Sequence, residues 1–497
     1  MFAFVTYASP SAFDSTRDSA KLSIAASRPV QFAGKVVQHG FPLRIALRAL
    51  GEAIWSEDAW ESQDDFAMRV LDPVITVHPD RIWFEAFSQD MSSYCALIVD
   101  PSVFEAEGAT RYGTTNIDFT AWLWGAIGEM RTSRATHFRI GAEGLEVTTS
   151  GAGGRFEQKV EIPDAWVRGF LQVQGAMALP GTKLRLRPVD LLSAIRFLNA
   201  NKAKISPRAL RYEMEPGKFA RLVLEPWDHP VELVGATHGY TEMRSIRTWG
   251  RRRLKLIEPL LPFAESVDVY LKGRALPSFY AVKLPGMTFL LGLSGFSSAG
   301  FASSGGFDLN TPDATAAAND AIVERLRAAF HLSTEEVAQA TGLGVAEASR
   351  ALTALSYAGR AMYDVEARRW RHRELFDPPI DVRALYPPDP RREEARGLLA
   401  RGVRVDDVSA EEQRKRRKYV NPANGEKTER ELVFRLWRVR GSAGGSSTEI
   451  AVSAEERIIF GQCDCAFFKD NVMNRGPCPH MLALFESSAA LRAAGAA

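Results

Sequence analysis

Apolar and polar positions across residues 1–305 trade places over short runs, interrupted often by turn residues. Residues 74–77, 81–87 and 94–99 are β-branched and aromatic runs. His78-Pro79-Asp80 separates the first two, and the three together predict an antiparallel meander. Cys95 falls inside the third run, where a single thiol in an apolar strand packs as a small hydrophobe. Helical spacing surfaces more briefly. Leu43, Leu47 and Leu50 predict a short helix, and Asp118 caps another that carries Phe119, Trp122, Leu123 and Ile127. Pro163-Asp164 opens a helix through Val173, and a further one spans 189–198. Strands are predicted at 137–140 and 145–147, a hairpin, and at 156–162, 184–187, 210–214, 220–224 and 231–234. Helices follow strands repeatedly, yet without the regular rhythm of a parallel sheet. The region therefore reads as α+β, in one or two domains.

Gly, Ser, Ala, Thr and Pro dominate residues 295–318, the composition of a linker, placed at 306–317. Beyond it the period turns helical. Ile322, Val323, Leu326 and Phe330 share a face over 319–330. Ser333 and Glu336 have the spacing of a capping box that opens a second helix through Val337 and Ala340. After Gly342-Leu343-Gly344, a third helix at 345–358 presents Ala348, Leu352 and Leu355. Gly359 closes it, and residues 361–363 and 368–370 can pair as a hairpin. Three short helices and a hairpin over 318–374 resemble a winged helix-turn-helix. That resemblance implies duplex DNA or a protein as partner. Arg350 would reach a base edge from the third helix, while Arg368, Arg369, Arg371 and Arg373 on the wing would meet phosphates.

Residues 375–428 read as a Pro-rich and basic linker, with Pro378-Pro379, Pro387-Pro388 and a short charged helix over 391–402. It ends in the unbroken run Arg414, Lys415, Arg416, Arg417 and Lys418, which is either a solvated segment or a phosphate-binding arm.

Composition narrows the field only slightly. The 497 residues suffice for several domains, and the hydrophobic and charged fractions, 46% and 25%, are those of a water-soluble globular chain. Sixty-two basic against 60 acidic residues leave a net charge of +2, so only local patches can speak for nucleic acid. Arg247, Arg251, Arg252, Arg253 and Lys255 form the densest patch in the first half, either a solvated helix face or a phosphate contact. Four cysteines exclude a disulfide scaffold and suit a reducing cytoplasm. The start of the chain has neither the basic residues nor the apolar run of a signal peptide, and no apolar stretch approaches the ~20 residues a membrane span needs. Enzyme motifs are missing: neither Gly34-Lys35 nor Gly217-Lys218 belongs to a P-loop, and Gly292-Leu293-Ser294-Gly295 is one residue short of a nucleophile elbow.

Chemistry concentrates near the end, at Cys463-Asp464-Cys465 and Cys478-Pro479-His480. Three thiols and an imidazole are the ligand set of a closed tetrahedral zinc site. An extended i, i+2 pair points both side chains to one side, so Cys463 and Cys465 form one pincer with Asp464 turned away. Cys478 and His480 form a second, held extended by the prolines ahead of a helix beginning near Met481. This C-x-C…C-x-H pattern, with strand-like runs at 439–442, 450–452 and 458–460 before it, resembles the SWIM zinc finger family over residues 429–490. The loop at 441–447 is longer than the pattern requires. The resemblance implies one Zn²⁺ on Cys463, Cys465, Cys478 and His480, and a role in DNA binding or protein–protein contact. Taken together, the sequence predicts a cytoplasmic, non-catalytic α+β multidomain protein: a mixed α/β N-terminal region, a winged-helix-like middle and a small C-terminal zinc finger. Its partner is nucleic acid or, failing that, another protein that it scaffolds.

Overall fold

The apolar runs between 74 and 99 form the strands Val74–Val77, Ile82–Phe87 and Ser93–Val99, the expected meander. They lie within an eight-stranded antiparallel sheet of a computed structural model. The sheet order is Thr182–Leu186, Ser266–Leu271, Ser278–Leu284, Met287–Leu293, Ser93–Val99, Ile82–Phe87, Val74–Val77 and Gly113–Asn116. The structure describes residues 13–16, 19–22, 30–54, 73–117, 121–141, 144–150, 155–158, 162–204, 207–273, 276–295, 300–302, 320–375, 390–420, 427–453, 458–472 and 476–494. The predicted cap at Asp118 and the linker at 306–317 lie outside these residues, as do positions 376–389.

Both faces of the large sheet are covered, which explains why its strands read as continuous apolar runs rather than as alternation. On one face the helix Gly40–Ile54 sets Leu43, Leu47 and Leu50 in one core with Phe84, Leu97 and Phe289. On the other, Trp83, Tyr94 and Leu290 meet Val167, Phe170 and Leu171 of the helix Asp164–Ala178. Cys95 is fully buried among the first set, and burial pushes its thiol well above the ordinary range, as its position in an apolar strand implies. Smaller antiparallel sheets flank this body; one runs in the order His229–Glu232, Arg221–Leu224, Leu210–Met214 and Arg244–Thr248.

The helical period after 318 produces Asp320–Ala329, Thr334–Thr341 and Val345–Tyr357, followed by the hairpin Ala361–Asp364 and Arg369–His372. The capping box is formed: Glu336 N–H donates to Ser333 Oγ at 3.1 Å, and Ser333 N–H donates to the Glu336 carboxylate at 2.7 Å. These elements have a core of their own, around Ile322, Leu326, Val337, Leu352 and Trp370. They also share one with the large sheet, because Met362, Val365 and Leu375 pack with Trp83 and Phe170. Gly175 leaves room for the Tyr357 hydroxyl; a Cβ there would stand 2.5 Å from it. Residues 1–386 are accordingly one compact unit, and Pro387–Ala497 is a second.

The second unit corrects the reading of 375–428 as a linker over its described residues 390–420. After the helix Pro390–Arg401, residues Val403–Val420 form an 18-residue strand paired along its length with Lys427–Ala443. Ser446–Ser453 and Ile458–Cys463 complete a four-stranded sheet. Against Lys427–Ala443, Ser446–Ser453 reaches only residues 436–443, so among the described residues the pairs from Glu412–Arg435 to Val420–Lys427 extend past it as a two-stranded ribbon. The glycine-rich loop at 441–447 is a tight hairpin: Gly444 and Gly445, at φ 53° and 83°, supply the left-handed turn that such a connection needs. The helix Pro479–Ser487 lays Met481 and Leu484 on Val439, Ile450 and Val452. No helix in the described residues is long and apolar enough to cross a membrane.

Candidate metal centre and the basic residues

The sheet and two helix starts bring the four expected ligands together. Cys463 ends the strand Ile458–Cys463, and Cys465 caps the helix Ala466–Asn471, its sulfur accepting the Phe468 N–H at 3.4 Å. Cys478 caps Pro479–Ser487, with Pro479 in the first-turn position where its fixed φ and missing N–H are tolerated. His480 therefore sits on the first turn of that helix. The second pincer is not the extended pair that the sequence suggested, since proline starts the helix two residues early. Asp464 is turned away as expected, accepting the Ser447 N–H at 3.2 Å.

The ligand atoms of Cys463, Cys465, Cys478 and His480 all lie within 4.8 Å of one another and could hold a metal ion. The donor chemistry agrees. Hydrogen bonding from Cys478, helped by Thr448 3.4 Å away, holds the Cys463 thiol down to about 5 against the effect of burial. The pKa of Cys478 is raised, first by that same bond and then by burial, while Cys465 is raised chiefly by burial. Three sulfurs and an imidazole held this close are a donor set that a soft cation would take up in direct bonds. Nδ1 of His480 is buried and has no hydrogen-bond partner, a second sign that the group is built for something other than protein contacts.

The basic residues predicted to touch phosphates divide sharply. Arg371 and Arg373 are corrections. Arg371 is 2% exposed, donates to Asp364 at 2.9 Å and to Asp80 at 2.8 and 2.9 Å, and lies over the Trp83 ring. Arg373 and Glu85 both have fully buried side chains and pair at 2.9 Å, with the guanidinium 4.3 Å from the Phe170 ring centre. Neither can reach a phosphate without leaving a buried carboxylate unpaired. Arg369 is held by Glu336 at 2.7 and 3.2 Å. Arg368 is exposed at the hairpin turn, and Arg350 is exposed on the third helix. On the ribbon, Arg414 and Arg416 are exposed, Arg414 being 2.6 Å from Glu412. The side chains of Lys415, Arg417 and Lys418 lie outside the described residues.

Pattern reading passed over the carboxylates that hold these arginines. Glu85 stands between Phe84 and Ala86 in a wholly buried strand, and its hydroxyl donor Tyr94 lies 2.5 Å away. A charged residue at the centre of an apolar run was the available signal, because such a residue is not buried without a partner.

No protein-family model and no curated protein matches the chain. Among solved structures it is similar to the crystal structure of proliferating cellular nuclear antigen from Entamoeba histolytica, with 11% identity and a TM-score of 0.38. That likeness covers 54% of this chain and 99% of the other. The PCNA2–PCNA3 complex from Sulfolobus tokodaii is similar at 11% identity and TM-score 0.37, over 53% and 99% of the respective chains. Likenesses this shallow define neither the fold nor the function.

Proposed function

We propose that Pro387–Ala497 is a SWIM-type module folded around one structural zinc ion, and that the protein acts without catalysis, by contacting nucleic-acid phosphates through the basic ribbon of that module. The observation that carries the metal is the convergence of Cys463, Cys465, Cys478 and His480, with ligand atoms within 4.8 Å. Three thiolates and an imidazole favour Zn²⁺ over harder cations, and four protein ligands leave no open position for water or substrate. The nucleic-acid reading rests on the ribbon. Arg414 and Arg416 are exposed on it, and the run continues through Lys418. Glu431 and Glu429 are the register partners of Arg416 and Lys418. Phosphate contacts of this kind fix position without reading sequence, so binding should be weak, roughly 10⁻⁴–10⁻⁶ M at physiological salt, and indifferent to the duplex chosen. Fluorescence anisotropy on unrelated duplexes is the test. Arg414→Ala/Arg416→Ala should weaken all of them alike and flatten the salt dependence, and a protein that binds no duplex at low salt would end the nucleic-acid reading.

One observation supports the adaptor reading. Ile459 and Phe460, 54% and 51% exposed, lie on the edge strand of the same sheet, where a partner chain could add. Phe460→Ser should then release a nuclease-resistant protein partner from pull-downs while leaving duplex binding unchanged.

A further inference from the structure

A groove in the first unit gathers positive charge that neither the metal centre nor the ribbon explains. Gly250, at φ 88°, starts the 3-10 turn Arg251–Leu256. That turn presents Arg251, Arg252 and Lys255 toward Lys202 and Arg208, in the segment that follows the helix Pro188–Ala200. The groove between them has a volume of about 590 Å³ and an apolar stretch at Ile195 and Leu198. An adjoining hollow of about 280 Å³ shares Arg208, Arg251 and Arg252 and runs on to Asp90 and Arg253.

The charge here is unbalanced. Arg208, Arg252, Lys202 and Lys255 are exposed, and among the described residues none of them has an ion-pair partner. Arg251 is 8% exposed, with its guanidinium 4.9 Å from the Trp227 ring centre and one N–H given to the Glu225 carbonyl. Burial, and then the like charges of Arg208 and Arg252, lower its pKa to about 10. Of the acids nearby, Asp90 and Glu225 already have cation partners, and Glu258 holds a neutral amide. Asp90 accepts from Arg253 at 2.6 Å and from Ser88 and Ser92. Glu258 accepts from Asn199 at 3.0 Å, and Glu225 from Arg211 and Arg247 at 2.6 and 2.8 Å. Elsewhere in this unit the rule is the opposite: Arg211 alone is met by Glu213, Glu225 and Asp228. Like charges drawn together without counter-charge cost stability, which is how binding sites for anions are built.

We propose that this groove binds clustered phosphate groups, as carried by a nucleoside polyphosphate or by a strand of nucleic acid. Guanidinium forks at Arg208 and Arg252 match phosphate oxygens in pairs, Lys202 and Lys255 add point charges, and buried Arg251 is preset between them. The volume is that of a small-ligand site, and the apolar wall can take the part of a ligand that carries no charge. The site lies in a different unit from the ribbon and stands or falls apart from it.

Isothermal titration of the full-length protein at low and moderate salt decides the matter, with inorganic pyrophosphate in one arm and a short oligothymidylate in the other. Arg252→Ala/Lys255→Ala removes two exposed, unpaired cations and should leave the circular-dichroism spectrum unchanged. The expected result is binding by the native protein and at least about a tenfold loss in the variant, steeper at low salt. Pyrophosphate binding assigns a small phosphorylated ligand. Oligonucleotide binding without pyrophosphate binding, lost in the same variant, assigns a strand. Arg414→Ala/Arg416→Ala should leave pyrophosphate affinity within about twofold, so failure of the ribbon reading is seen separately. Absence of binding to both probes at low salt, or equal affinity in the groove variant, overturns the proposal.

Discussion

Glu85 and Arg373 meet 288 residues apart in the chain, each with no exposed side-chain surface. Two charges removed from water are expensive; Arg373 Nη1 donates to one Glu85 oxygen and Tyr94 to the other, while the guanidinium lies on the Phe170 ring with Nε and Nη2 buried and, among the described residues, without hydrogen-bond partners. Deleting one partner strands the other. Arg373→Ala should therefore lower unfolding stability by about 3–5 kcal/mol in urea titrations. Arg368→Ala, at an exposed site in the same hairpin, should stay within about 0.5 kcal/mol. A result in which the two variants cost the same would contradict the buried pairing. His78 gives a second residue-level expectation. It is 4% exposed, and burial followed by the charge of Arg371 lowers its pKa to about 3. A depressed folded-state pKa means that the unfolded chain takes up the proton first. The stability it contributes is complete above about pH 6.5 and is lost as pH falls toward 3. Between pH 6.5 and 4.5, above the range where paired carboxylates such as Asp80 protonate, His78→Leu should reduce the slope of stability against pH. In the sequence the arginines at 371 and 373 belong to the wing only through the resemblance of three helices and a hairpin to a winged helix-turn-helix. Nothing local distinguishes an arginine that faces water from one that faces a carboxylate nearly three hundred residues away.

Elements differed in how much of themselves they disclosed. The capping box at Ser333 was plain because its two residues satisfy each other locally, and Ser333→Ala should cost about 1 kcal/mol by thermal unfolding. The metal ligands were equally plain, since their chemistry is carried by residue type and short spacing. Cys463→Ala should abolish stoichiometric metal in elemental analysis, and Cys95→Ala should leave it untouched, being buried in the other unit. What stayed hidden was the ribbon. Sequence alternation marks a strand only when one of its faces is buried. Past residue 412 the two strands, among the described residues, pair only with each other, and the run of charges read as linker. A two-stranded extension with no third strand is marginal in water. Amide exchange should accordingly be faster at 413–420 than at 403–410 within the same strand.

At the scale of the whole chain, the two units should part company in isolation. The fragment Pro387–Ala497, prepared with zinc, should give a cooperative unfolding transition that a chelator removes, because a core this small leans on its metal. Residues 318–374 alone should not fold in the same way, since Met362, Val365, Arg371 and Arg373 would lose the sheet they are built against. The order of the eight strands has one more consequence, for the chain as it is made. Ser93–Val99 pairs on one side with Met287–Leu293. At 5–20 residues per second, a ribosome that has finished the first strand needs roughly 10–40 s to deliver the second. Through that interval the nascent meander carries a bare apolar edge, with Cys95 and Leu97 on one side and Tyr94 and Ala96 on the other. Holdase chaperones should therefore be found on nascent chains halted between these two strands and be absent once release has let the sheet close.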